Sequence, residues 1–210
     1  MNNNSKKVAE YLLQIKAIKL EPSNPFTWAS GWKSPIYCDN RKTLSYPEVR
    51  NYIRDVFALR IREKYPEVDV IAGVATGAIA IGMLVADALE LPFIYVRSSA
   101  KGHGLGKQIE GSYKEGDRVV VIEDLISTGG SSLSAVSALR EANCEVMGML
   151  AIFTYDFQKS VDAFQKASCE LETLSDYNTL TELAVEKGYI SKEQLSTLKE
   201  WRIDPSAWGV

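Results

Sequence analysis

The stretch Val119–Ser132, VVVIEDLISTGGSS, joins an apolar run to a turn that is rich in glycine and hydroxyl side chains. Gly129 and Gly130 allow a tight turn in which successive backbone N–H groups converge on one anion. A helix that starts there adds the positive end of its dipole. The hydroxyl donors of the turn are Thr128, Ser131 and Ser132. This order of residues predicts a phosphate-binding turn.

Two adjacent acids, Glu123 and Asp124, come directly before that turn. The stretch lacks the GxxxxGK[ST] pattern of a P-loop, and two carboxylates would repel a polyphosphate unless they faced hydroxyl groups or a metal ion. The acids therefore indicate a sugar next to the bound phosphate.

A second chemical signal is the segment Arg97–Gly111, RSSAKGHGLGKQIEG, which combines glycines, three basic residues and the single histidine of the chain, His103. Long glycine-rich loops in compact domains are usually either disordered or functional lids, and grouped cations suit a loop that closes over an anionic ligand. A histidine metal site is not expected, because the chain has no second histidine to complete one.

The elements that must position these residues follow a βαβ pattern from Val68 onward. The predicted strands contain VDVIAGV, PFIYV, RVVVI and EVMGMLAIF, and the predicted helices cover 78–89 and 131–142. Because Val119–Ile122 is continuously apolar, we expect a parallel sheet covered by helices on both faces.

Further elements are expected on either side of this core. Apolar positions spaced as on one helix face follow Ser5, namely Val8, Leu12, Ile15 and Ile18. Short strands joined by turns are expected over 26–41, and Ser45 with Glu48 predicts a capping box for a helix that reaches about Lys64. Two short helices, 178–187 and 192–201, are separated by Gly188. We expect a single domain with an N-terminal lobe (about 1–45), an α/β core (about 46–175) and C-terminal helices and tail (about 176–210).

The composition excludes several classes of protein. Of 210 residues 46% are hydrophobic and 24% are charged, which is typical of a folded globular chain. The net charge of −3 argues against binding to long nucleic acids. Three cysteines without metal-clamp spacing are expected to be reduced thiols. No signal peptide or membrane-spanning stretch is recognisable, so the expected location is the cytoplasm, away from membranes.

The segment EDLISTGGSS resembles the signature of the type I phosphoribosyltransferases, which bind 5-phosphoribosyl-1-pyrophosphate (PRPP). The resemblance implies an α/β fold with a central parallel sheet flanked by helices, a small N-terminal hood lobe and a flexible catalytic loop. It implies that Glu123 and Asp124 hold the ribose 2′ and 3′ hydroxyls and that residues 126–131 hold the 5′-phosphate. The substrate-binding residues expected here are Glu123, Asp124, Leu125, Ile126, Ser127, Thr128, Gly129, Gly130 and Ser131.

Further motifs narrow the resemblance to the orotate phosphoribosyltransferases. KGHG at 101–104 resembles their KxHG catalytic loop, SGWKSPIYCDNR at 30–41 resembles their base-recognition element, and WRIDP at 201–205 resembles their closing motif. The resemblance implies transfer of ribose 5-phosphate from PRPP to orotate, giving orotidine 5′-monophosphate and pyrophosphate in pyrimidine biosynthesis. It also implies Mg²⁺ as a cofactor held mainly by PRPP, with no certain protein ligand.

The same resemblance assigns roles to the basic loop. Lys101, His103 and Arg97 would be catalytic groups around the departing pyrophosphate, and Lys107 would join them as a substrate-binding residue. The enzyme would be a homodimer in which the loop of one subunit closes over the neighbouring site.

The chain departs from one branch of this family at three positions, where that branch has two lysines and an arginine. This chain has Ala29, Thr76 and Phe157 there. The group that binds the orotate carboxylate is therefore open. The candidates are Lys33 and Arg41 by charge and Ser127 by its place in the PRPP turn, and Tyr37 belongs to the base element. Two alternatives remain at this point, namely a phosphoribosyltransferase for another base and a non-enzymatic PRPP sensor.

Overall fold

The computed structural model describes residues 3–28, 31–98 and 108–208. The strands in these ranges are β1 (Ile18–Leu20), β2 (Phe26–Thr27), β3 (Lys33–Ser34), β4 (Ile36–Cys38), β5 (Val70–Val74), β6 (Phe93–Val96), β7 (Ile109–Glu110), β8 (Arg118–Ile126), β9 (Glu145–Thr154) and β10 (Leu171–Asp176). The helices are α1 (Asn3–Gln14), α2 (Pro47–Lys64), α3 (Ile79–Leu89), α4 (Gly130–Glu141), α5 (Gln158–Lys166), α6 (Tyr177–Glu186) and α7 (Lys192–Ile203), and a 3-10 helix covers Asn40–Ser45.

A six-stranded sheet in the order β10-β9-β8-β5-β6-β7 forms the centre of the fold. All neighbouring pairs are parallel except β6 and β7, which are antiparallel. Alternate residues of β8 enter two separate apolar cores, since Val120 and Ile122 join one cluster and Val119 and Val121 join the other. Both faces of the sheet are therefore covered, and the predicted fold class is confirmed.

Strand β8 is longer than its apolar run suggests. Its ladder with β9 continues through the pairs Glu123–Ala151 and Ile126–Thr154. The two acids therefore lie in the last residues of the strand and not after its end, because the neighbouring strand extends equally far and keeps the backbone hydrogen-bonded.

The N-terminal lobe contains two small antiparallel sheets, in which β1 pairs with β4 and β2 pairs with β3. The expected helix face through Ile18 is wrong, since α1 ends at Gln14 and Lys16 adopts a positive φ of 55°. Ile18 instead lies in β1 opposite Cys38. Strand pairing between β1 and β4 is thus favoured over an extension of α1, although the spacing of the apolar residues is compatible with a helix.

The expected capping box at the start of α2 is also wrong. Ser45 is the last residue of the 3-10 helix, and the residue that precedes α2 is Tyr46, with no side-chain cap. The carboxylate of Glu48 instead accepts a hydrogen bond from the Tyr11 hydroxyl at 2.8 Å. The Glu48 carboxylate thus binds the Tyr11 hydroxyl of α1 and not the backbone at the start of its own helix.

The two C-terminal helices lie where the sequence predicts them, as α6 and α7. Trp201 of α7 is 0% exposed, so this helix docks on the body of the protein. None of the helices in the described ranges is long and apolar enough to cross a bilayer.

Candidate active site

Two adjoining cavities, each of about 400 Å³, lie where β5 and β8 end. The first, which we call the polar pocket, is lined by residues from the segments 38–41, 74–77 and 123–132. The second, which we call the aromatic pocket, is lined by Thr27, Trp28, Tyr37, Cys38, Leu125, Ser127 and Tyr155. Ligands of open α/β sheets bind outside the carboxyl ends of the strands, so both pockets occupy the expected place for a site.

The predicted phosphate turn forms one side of the polar pocket. Gly129 has a φ of +82°, a left-handed conformation that favours glycine, and α4 begins at the next residue. A Cβ atom at Gly129 would also lie 3.0 Å from the ring of Phe164. The first backbone N–H groups of a helix lack intrahelical partners, so the start of α4 presents donors beside the hydroxyls of Ser131 and Thr128.

Glu123 is only 4% exposed, and both of its carboxylate oxygens accept hydrogen bonds within the protein. Ser132 Oγ donates to one oxygen at 2.8 Å, and the backbone N–H of Asp124 donates to the other at 2.9 Å. Burial and the neighbouring charge of Asp124 raise the pKa of the Glu123 carboxyl. Glu123 therefore tends to hold its proton, which spares the polar pocket a second full negative charge.

The carboxylate of Asp124 is the more accessible of the two acids. Burial raises its pKa, while the positive charge of Arg41 acts in the opposite direction. The side chain lies directly against Gly77, where an added Cβ would overlap the carboxylate. Gly77 follows a cis peptide bond between Ala75 and Thr76. A glycine at this position thus lets the end of β5 approach the acid closely.

The N-terminal lobe contributes an ion pair to the rim of the polar pocket. Arg41 Nε lies 2.7 Å from Asp39 Oδ1, and both residues line this pocket. The Arg41 guanidinium lowers the pKa of the Asp39 carboxyl. Arg41, predicted by charge alone, therefore supplies a cation beside the two acids of β8.

The aromatic pocket is assembled from distant parts of the chain. The Trp28 and Tyr155 ring centroids are 5.4 Å apart, and the Trp28 indole N–H donates to the carbonyl of Ile36 at 3.1 Å. Behind them, Trp201 contacts both rings and donates its indole N–H to the carbonyl of Lys33 at 3.2 Å. These contacts leave two aromatic rings on the wall of a cavity that suits a flat ring.

Sequence reasoning missed Trp28, Cys38 and Tyr155. Tyr155 directly follows β9, the strand beside β8. Knowledge of the strand order would have indicated that Tyr155 lies near the end of β8. Cys38 is a free thiol that lines both pockets, whereas the buried thiols of Cys144 and Cys169 lie in the core, as expected.

Most of the substrate-binding residues predicted in this region line one of the two pockets, and two of them do not. The residues of the phosphate turn and its strand that line the polar pocket are Glu123, Asp124, Leu125, Ser127, Thr128, Gly129, Ser131 and Ser132. Ile126 is buried in the core, and Gly130 is exposed at the start of α4 without lining the pocket. Tyr37 lines the aromatic pocket. Lys33 donates to the Thr27 hydroxyl at 2.9 Å, so it reaches that pocket through Thr27.

Of the remaining residues that the structure describes, Arg97 and Phe157 do not line these pockets. Arg97 Nη1 lies 3.7 Å from Glu110 across the β6–β7 pair. Phe157 is buried and stacks on Tyr155 with centroids 5.4 Å apart, while Thr76 lines the polar pocket. Ala29, Lys101, His103 and Lys107 lie outside the described residues.

A family model and two curated relatives indicate the family of this chain. A family model described as the phosphoribosyl transferase domain matches residues 44–182. An orotate phosphoribosyltransferase of Bacteroides thetaiotaomicron is 57% identical over 208 residues, which are 99% of this chain and 98% of that protein. One from Porphyromonas gingivalis is 56% identical over 210 residues, which are 100% of both chains.

A solved structure agrees with these sequences. The orotate phosphoribosyltransferase of Aeropyrum pernix matches with a TM-score of 0.76 at 26% identity, covering 88% of this chain and 99% of that one. The resemblance predicted from the sequence motifs is thus confirmed. With more than half of the residues identical over nearly the full length of its relatives, the chain belongs to the orotate phosphoribosyltransferase family of enzymes.

Proposed function

We propose that the polar pocket binds PRPP, that the aromatic pocket binds orotate, and that the ribose 5-phosphate group is transferred at the wall between them. The observation that carries this proposal is the contact between the two cavities, which share Cys38, Leu125 and Ser127. One cavity offers an anion-binding turn with acids, and the other offers aromatic rings. A phosphorylated sugar and a planar base are therefore accommodated side by side.

The proposed reaction breaks the bond between C1′ and the pyrophosphate oxygen and forms a bond between C1′ and N1 of orotate, and the N1 proton is released to the departing pyrophosphate or to water. Positive character develops on the sugar and negative charge on the departing pyrophosphate. In our proposal the turn around Thr128 and Ser131 holds the 5′-phosphate, and Asp124 accepts hydrogen bonds from the ribose hydroxyls. Glu123, whose oxygens already have donors in the protein, holds the backbone of Asp124 and borders the same hydroxyls.

Stabilisation of the leaving group is assigned to the basic loop by family resemblance. Arg97, Lys101 and His103, with Lys107, would surround the pyrophosphate where its charge develops. Closure of such a loop also excludes water, which competes with orotate for the sugar.

Orotate recognition is proposed to rest on residues that line the aromatic pocket. Ser127 lines both pockets and offers a hydroxyl to the base or its carboxylate, and Tyr37 adds an aromatic ring. The Lys33 ammonium group, which donates to the Thr27 hydroxyl, places a positive charge near the aromatic pocket. Arg41 places a second positive charge in the adjoining polar pocket.

The polar pocket also fits a magnesium ion held jointly with the substrate. Mg²⁺ prefers oxygen ligands and is commonly bound by one or two carboxylates together with substrate phosphates. Asp124, the more accessible of the two acids, is the carboxylate that we propose for this role. When bound, the ion supplies positive charge that stabilises the leaving pyrophosphate.

An assay with several bases tests the proposed substrate. Purified protein is incubated with PRPP and Mg²⁺ and with orotate, uracil, hypoxanthine or adenine, and ultraviolet absorbance and pyrophosphate release are followed. We expect turnover with orotate alone. Turnover with another base would overturn the assignment of the aromatic pocket, and tight PRPP binding without turnover on any base would favour a PRPP sensor.

The subunit arrangement stays a prediction of the family resemblance, and the location stays a prediction of the sequence. We propose a homodimer in which the loop closes over the neighbouring site, in the cytoplasm. Mixing inactive Lys101→Ala and Asp124→Asn subunits should recover activity in heterodimers, because one site then combines an intact loop with an intact polar pocket. Absence of recovery would contradict sharing, and cell fractionation tests the location.

A further inference from the structure

The wall between the two pockets is built from two separate segments of the chain. Cys38 comes from the end of β4 in the N-terminal lobe, whereas Leu125 and Ser127 come from the end of β8 and the turn after it. The relative position of the pockets therefore depends on what holds these two segments together.

The side chain of Asn40 joins them. Its amide nitrogen donates a hydrogen bond to the backbone carbonyl of Asp124 at 2.5 Å, and its amide oxygen accepts one from the Cys38 thiol at 3.3 Å. Asn40 is 2% exposed and is absent from the lining of both pockets. It therefore contacts the shared wall from behind and leaves both cavities free.

The position also requires the chemistry of an amide. A buried polar group costs free energy unless it is hydrogen-bonded, and here the donor and acceptor ends of one side chain are both used. An aspartate would turn an acceptor oxygen toward the Asp124 carbonyl, and an alanine would leave that carbonyl without this donor. Neither replacement keeps the link between the two segments.

We propose that Asn40 is a positioning residue that sets the distance between the two pockets and, through it, the approach of the base nitrogen to C1′. This inference rests on the proposed function. Correct placement of two reactants accounts for a large share of enzymatic rate enhancement, and a displacement of about 1 Å can lower the rate about 10²-fold. Loss of Asn40 should weaken the binding of a ligand that spans both pockets. It should leave the affinity for a ligand confined to one pocket unchanged.

The test compares the kcat of Asn40→Ala and Asn40→Asp with their affinities for two ligands. Orotidine 5′-monophosphate spans both pockets, whereas PRPP with Mg²⁺ occupies the polar pocket alone. We expect kcat to fall about 30-fold to 100-fold and the Kd of orotidine 5′-monophosphate to rise at least about tenfold. The Kd of PRPP, measured by calorimetry, should stay within about threefold of the wild-type value.

Thr43→Val is the matched control. Thr43 is equally buried in the same 3-10 helix and donates to the backbone carbonyl of Asn40 at 2.6 Å, but it does not bridge to Asp124. We expect its kcat and both affinities to stay within about threefold of wild type, so that the effect at Asn40 belongs to the bridge and not to the helix.

The possible outcomes separate the inference from the function on which it rests. Equal weakening of PRPP and orotidine 5′-monophosphate would overturn it, because Asn40 would then serve the polar pocket only. A kcat within twofold of wild type in both Asn40 variants would overturn it as well. If Asn40→Ala does not fold, the isosteric Asn40→Asp decides. A wild-type protein without turnover of PRPP and orotate would instead refute the proposed function.

Discussion

The polar pocket and the aromatic pocket adjoin each other but are constructed in opposite ways. Most of the polar pocket comes from one continuous run, 123–132, in which a strand end, a turn and a helix start are held by the sheet. The aromatic pocket takes its lining from the separate segments 27–28, 37–38, 125–127 and 155. The proposed phosphate and sugar site therefore depends largely on one local run, whereas the proposed base site depends on how distant segments pack.

The strongest test of this contrast is Asp124→Asn. The carboxylate is proposed to hold ribose hydroxyls, so its loss should raise the KM for PRPP and lower kcat together, by about 10²–10³ in kcat/KM. Steady-state kinetics with each substrate varied in turn provides the measurement. If the KM for orotate alone changes, the assignment of the two pockets is wrong.

A smaller effect is expected for Trp28→Ala on the other side of the wall. Loss of an aromatic platform under a base costs about 1–3 kcal/mol, so the KM for orotate should rise about fivefold to 100-fold. The affinity for PRPP, measured by calorimetry, should stay near the wild-type value, and Trp28→Phe should restore part of the loss. A rise in the PRPP Kd of similar size would show that the pockets are not separable.

Trp201→Phe sharpens the comparison because this side chain lies behind the aromatic pocket. The variant keeps a ring but removes the donor to the Lys33 carbonyl, and loss of a typical hydrogen bond costs about 0.5–1.5 kcal/mol. We expect the free energy of unfolding in urea to fall by that amount and the KM for orotate to rise severalfold. An unchanged orotate KM, with the stability lowered, would limit Trp201 to a structural role.

The stability of the protein is also expected to depend on pH through Glu123. Because the folded-state pKa of Glu123 lies above its ordinary value of 4.5, the folded protein binds this proton more tightly than the unfolded chain. The resulting stabilisation is complete below pH 4.5 and is lost as the pH rises through the raised folded-state pKa. Glu123→Gln cannot titrate, so its stability should fall less than that of wild type over this rise. Urea unfolding across the pH range measures both, and parallel curves would contradict a raised pKa.

The difference between the pockets also explains what the sequence could predict. The parallel sheet and the phosphate turn follow from apolar runs and from residues adjacent in the chain, and both could be found without a structure. Tyr155 and Trp28 could not, because their meeting depends on strand order and on the fold of the N-terminal lobe. The capping box at Ser45 failed for the same reason, since the Tyr11 hydroxyl on another helix binds Glu48.

The buried indole of Trp201 also makes the aromatic pocket depend on a segment that is translated late, namely α7. A chain is synthesised from its N-terminus, and a domain generally folds as a unit. The strand, turn and helix start at 118–132 are translated about 70 residues before Trp201, and β9 soon follows them. The Trp28 and Tyr155 rings, by contrast, reach their described packing only once α7 has been translated. The aromatic pocket therefore acquires its backing only after α7 has been translated.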